Sequence, residues 1–152
     1  MAIEILPVIS LGIIIGLYEL FAIHADMNFR GSHWFGHGLH AIVFVMVALF
    51  IVLNIDTFYE MVGVLNWGLP AWVTNPWVFR IIVGIILNIK MHATSSLARG
   101  GSGLAARGLA EHWAHTTIIS VLVIVSPLYW PILATFVPAW AGGTGGVEAV
   151  TQ

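Results

Sequence analysis

Residues 41–53 read AIVFVMVALFIVL, a run without one polar side chain. A helix built from it has no face suited to water. The run is too short to cross a bilayer alone, which takes roughly 20 residues. It therefore extends through Trp34–His40 at its start or through Asn54–Phe58 at its end.

Three other stretches share this character. The first runs from about Ile3 to Ile23, the third from Trp77 to His92, and the fourth from Trp113 to Val137. The fourth contains Pro127 and Pro131, which predicts a kink that neighbouring groups can satisfy. The chain is 59% hydrophobic and 8% charged. Its mean hydropathy is +0.97. A soluble domain carries about 25% charged residues, so lipid is the expected solvent.

The sequence thus predicts an all-α polytopic membrane protein. Four transmembrane helices form a bundle over residues 1–141, followed by a Gly-rich tail at 142–152. Tyr59–Pro76, rich in Trp and Pro, reads as a short interfacial segment between helices two and three. Asp26–Ser32 and Arg99–Gly108 read as polar or flexible turns. The first apolar stretch has no basic flank, so it is expected to be retained rather than cleaved.

The chain has no cysteine, which excludes disulfides and thiolate metal sites. Net charge is −2, with no basic surface for nucleic acid. So few charges leave little polar surface for a lone protein. A homo-oligomer or a subunit among other membrane subunits is expected.

Threaded up and down, the four segments bring all seven histidines to one bilayer face: His24, His33, His37, His40, His92, His112 and His115. Asp26, Arg30, Lys90, Arg99, Arg107 and Glu111 join them there. Glu4, Asp56, Glu60, Arg80 and Glu148 fall on the other face. Four of the five basic residues lie with the histidines. The positive-inside rule makes that face cytoplasmic and puts both termini on the opposite side. Trp34 and Trp113 fall at the histidine boundary, and Trp67, Trp72, Trp77, Trp130 and Trp140 at the other, as aromatic belts. Arg80 and Asp56 are expected to pair as a structural ion pair.

Imidazole is the commonest transition-metal ligand. His33, His37 and His40 are spaced i, i+4, i+7 and lie along one helical stripe. Glu111, His112 and His115 share a second face, and Asn88 and His92 a third. His24, His33 and His112 fall at headgroup level and read as interfacial. His37, His40, His92 and His115 fall deeper, on three helices, and are the candidate ligands. Glu19, Asp26, Glu111 and Asn88 are supporting residues. A set of this kind suits copper, iron or zinc. Two opposed histidines would also hold haem b, with Arg30, Arg99 and Arg107 on its propionates. No two histidines are adjacent, so the paired-histidine boxes of membrane di-iron enzymes are absent.

The leading expectation is a metal- or haem-binding protein, a small subunit of a larger membrane redox complex. If it takes part in catalysis, it does so as a subunit of a membrane oxidoreductase. A second reading is a proton or cation transport protein using the same histidines, although no matching polar row is evident on the opposite half. A third is a structural membrane subunit without a cofactor. The sequence names neither substrate nor reaction.

Overall fold

The computed structural model describes the backbone of residues 3–25, 34–97 and 105–145, and side chains within 3–22, 39–91 and 113–145. The described elements are helices α1 (Ile5–Ala25), α2 (Trp34–Leu53), α3 (Ile55–Val62), α4 (Pro76–Leu97), α5 (Ala105–Ile124) and α6 (Ser126–Leu133). Short 3-10 turns follow at Val64–Trp67 and Ala139–Ala141. No strand occurs among the described residues; Pro138 and Gly145 form one isolated bridge.

Four long helices alternate in direction. Gly12 and Gly16 of α1 meet Met46 and Ile42 of α2. Arg80 and Lys90 of α4 reach Val52 and Phe44 of α2. Gly84 and Asn88 of α4 meet Ile124 and Thr117 of α5. In each pair one number rises as the other falls, so the neighbours are antiparallel. The ends of α1 and α4 therefore lie with the starts of α2 and α5.

One described helix, over Ile5–Ala22, is long and apolar enough to cross a membrane. The number rises to three if each of two bent pairs is one span. The bend in the fourth segment is the kink that Pro127 and Pro131 predict, and α2 takes the first of the two extensions open to segment two, through Trp34–His40. The second segment breaks at Asn54, where α3 leaves the α2 axis by 72°. The fourth breaks at Val125, where α6 turns from α5 by 71°.

Both breaks have a chemical cause. Pro127 lacks an N–H, and its ring would strike the carbonyl of residue 123 in a continuous helix. The Ser126 hydroxyl instead donates to that Val123 carbonyl at 2.8 Å. Tyr129 donates to the Leu122 carbonyl at 3.1 Å. At the other break, the buried Asn54 side chain donates to the Phe50 carbonyl at 2.9 Å and accepts from the Glu4 backbone at 2.6 Å. One side chain thereby caps the end of α2 and fastens the entry to α1. The expected Arg99–Gly108 turn is also shorter than read, because α5 already begins at Ala105.

The core unites the inward faces of these helices: Leu11 and Ile15 of α1, Val45 and Leu49 of α2, Leu87 of α4, and Ile119 of α5. Trp130, read as a boundary anchor, is half-buried and packs on this core. A second cluster forms at the α3 end, where Ile55, Tyr59 and Val64 meet Phe79. The outward faces are apolar as well. Ile9, Ile13 and Ile14 of α1 and Ile82, Ile86 and Ile89 of α4 are all exposed. Contiguous apolar surface on this scale marks contact with lipid or protein rather than water.

α1 and α2 approach closely because Gly12 and Gly16 have no side chain. A Cβ at Gly16 would stand 2.5 Å from Ile42 Cγ1, and one at Gly12 would stand 2.6 Å from Met46 Cγ. This is the small-xxx-small spacing that joins helices where lipid removes the hydrophobic drive to associate. The start of the Gly-rich tail is folded back. Thr144 and Gly145 donate their backbone N–H groups to Ala134, and Ser10 donates to the Ala141 carbonyl at 2.6 Å.

Candidate functional site

The antiparallel order gives the bundle one end formed by the last turns of α1 and α4 and the first turns of α2 and α5. The helical positions of His24 and His37 belong to those turns; His40 and His92 lie one turn further in, and His112 and His115 are the eighth and eleventh of the twenty residues of α5. The side chains of His24, His37, His92, His112, Glu111 and Arg107 lie outside the described ones, and Asp26, Arg30, His33 and Arg99 lie outside the described residues altogether. His40 and His115 are the described imidazoles.

These two differ. His40 is exposed and sits beside exposed Leu39, off the packed face that begins at Ala41. His115 is half-buried on α5, and its Nδ1 is buried with no hydrogen-bond partner. His40 is thus no part of the packed core. His115 stands closer to it, because α5 turns its buried Thr116 and Ile119 inward beside it.

Glu19 is the second notable group. It follows Leu11, Ile15 and Gly16 along the packed face of α1 and is only 5% exposed. Its Oε2 is buried without a partner. A carboxyl group in such a place is costly in a membrane helix unless a cation, a proton or a donor meets it. Helical side chains lean toward their own N-terminus. Glu19 therefore leans into the bundle, and His115, on an antiparallel helix, leans toward the bundle end. α1 and α5 are in contact.

Asn88 bonds across helices. Its Nδ2 donates to Thr117 Oγ1 at 3.1 Å, and its Oδ1 is buried without a partner. That contact commits Asn88 to the α4–α5 seam. Among the described residues, no group of three or more His, Asp or Glu side chains is placed to hold a metal ion.

The other end of the bundle corrects a further expectation. Arg80 does not form a direct ion pair with Asp56 among the described contacts. Its Nε donates to the Val52 carbonyl at 3.2 Å, and its guanidinium lies 4.9 Å from the Trp77 ring centroid. Asp56 and Tyr59 act on it only as electrostatic neighbours.

Sequence reasoning missed a buried hydroxyl row. Thr116, Ser120 and Ser126 are all buried, and each donates to a carbonyl of its own α5–α6 segment. The i, i+4 spacing of Thr116 and Ser120 puts those two on one face and could have marked them, whereas Ser126 lies past the bend at Val125. The Gly12–Gly16 pair was equally readable. Compared with known proteins, the chain matches no family model, no curated relative and no solved structure.

Proposed function

We propose that this chain is a four-span membrane protein that binds a transition metal (copper, iron or zinc) or haem b at its histidine-bearing end. In this reading it is a small subunit of a larger membrane redox complex, with the histidine face cytoplasmic and both termini opposite. The carrying observation is the buried, unpartnered Nδ1 of His115, midway along α5. Buried polar atoms are normally bonded, and an orphan asks for a ligand. The unpartnered Glu19 oxygen supplies a carboxylate from a neighbouring helix.

The donor chemistry fits. Imidazole from His115, with His37 and His92 from α2 and α4, would suit copper, iron or zinc, and a carboxylate orients or balances such ligands; His40, exposed and off the packed face, would have to turn inward to join them. A bound metal or haem would supply one-electron or Lewis-acid chemistry at the bilayer face. The residues would hold it, and the Glu19 carboxylate would balance its charge. Elemental analysis with a visible spectrum of protein purified from its own membrane tests the reading. A stoichiometric metal or a haem band is expected. A metal-free and colourless preparation overturns it.

A second reading is a proton path, and the hydroxyl row favours it. Thr116 and Ser120 are buried on α5 after His115, and buried Ser126 follows at the bend, each donating to a carbonyl of its own segment. Reconstituted liposomes under a pH gradient distinguish the two, because this reading requires flux without any metal.

A further inference from the structure

We propose that the slot between α2 and α4 holds an acyl chain of an anionic phospholipid, with the headgroup phosphate at Lys90. This rests on the membrane-spanning part of the function above and not on its metal.

The slot encloses about 160 Å³. Phe44, Ala48 and Ile51 form its α2 wall, and Val83, Leu87 and Lys90 its α4 wall. From Phe44 to Ile51 it runs about 10 Å along the helix, at 1.5 Å per residue. Ala48 is the small residue that opens the floor, and Val47 and Ile86 stand exposed at the rims. The slot is therefore open sideways, toward the surroundings that its apolar rims suit.

Its polarity runs in one direction. Lys90 closes the end of the slot nearer the histidine-bearing helix ends, with Nζ 5.4 Å from the Phe44 ring centroid. Every other wall residue named is apolar. A lipid of that leaflet has the same order, with an anionic phosphate at the boundary and hydrocarbon inward. An ammonium carries three donors, so Lys90 can face the ring and still serve a phosphate. Basic residues between membrane helices hold anionic headgroups by this attraction. The larger α4–α5 groove, about 390 Å³, has no charged residue in its walls. Charge complementarity thus favours the α2–α4 slot for an anionic lipid.

Native mass spectrometry tests the site on the full chain in detergent, titrated with equal phosphatidylglycerol and phosphatidylcholine of matched acyl chains. The wild type is expected to retain phosphatidylglycerol about fivefold over phosphatidylcholine, the scale of one basic residue at an anionic surface. Lys90→Gln should bring the ratio to parity, and Lys90→Arg should keep it. Ala48→Phe should reduce retention of both lipids by filling the slot. Equal retention by the wild type, or a preference unchanged in Lys90→Gln, overturns the proposal. So does a lipid-free dimer whose cross-links cover Val47 and Ile86. Carbonate extraction of the same membranes separates the premises. Release into the soluble fraction overturns the membrane reading, whereas a membrane-retained chain without lipid preference overturns the lipid site alone.

Discussion

Arg80 donates its Nε–H to the carbonyl of Val52 at 3.2 Å, joining α4 to the last turn of α2 beside the Asn54 break. The final carbonyls of a helix lack intrahelical donors and carry partial negative charge. A buried guanidinium is well matched to that place, and the Trp77 ring covers it.

Replacing Arg80 should therefore destabilise the bundle rather than merely alter its surface. Arg80→Met leaves the Val52 carbonyl without this donor, a loss of about 1–3 kcal/mol. Arg80→Lys keeps the charge but not the planar group over Trp77, and should fall between. Thermal unfolding in detergent measures both. A methionine variant as stable as the wild type would contradict the assignment.

The α1–α2 contact should tolerate no bulk at Gly16. A leucine there must displace Ile42, and over-packing of this kind costs about 1–3 kcal/mol. Alanine at Gly12 should be milder than alanine at Gly16. The obstructing atom at Gly12 belongs to Met46, a flexible side chain, whereas Ile42 is β-branched and stiff. Unfolding midpoints of the two alanine variants decide the order.

Asn54 carries two duties that can be separated. Asn54→Leu removes the acceptor of the Glu4 amide and the donor to Phe50, costing about 1–3 kcal/mol for the groups left unpaired. Asn54→Asp retains the acceptor alone. Hydrogen exchange at the Glu4 amide should quicken in the leucine variant and stay slow in the aspartate variant. Equal exchange in both would remove the clamp from the account.

His115 and Glu19 should affect a bound metal in different degrees. His115→Ala deletes a proposed ligand and should abolish or shift the metal's optical signature. Glu19→Gln changes charge but little shape, and should weaken affinity about 10–100-fold if the carboxylate supports the ligands from outside. Metal titration with optical detection reads both effects. If neither variant changes metal content, these residues hold no part of the site.

Helicity and the antiparallel order of the long helices could be read from the sequence alone. Long apolar runs, few charges and turn residues between them leave little choice of secondary structure, and each short connection reverses direction. The bond from Asn88 to α5 was legible for the same reason, since a polar side chain on an apolar helix needs a partner. The partner of Arg80 was not. Asp56 was the evident anion, while the true acceptor is a backbone carbonyl exposed by a helix break, and carbonyls leave no mark in a sequence.

By itself, then, the sequence determined an all-helical, lipid-suited composition and the end of each helix that carries histidine. Only the tertiary structure decided which apolar faces turn inward. On α1 the buried Leu11 and Ile15 and the exposed Ile9, Ile13 and Ile14 have the same chemistry. When the outside is as apolar as the core, periodicity carries no direction. Close packing through Gly12 and Gly16 then chooses the face. That choice buried Glu19 and left His40 exposed, and the break at Asn54 came where its side chain captured the Phe50 carbonyl.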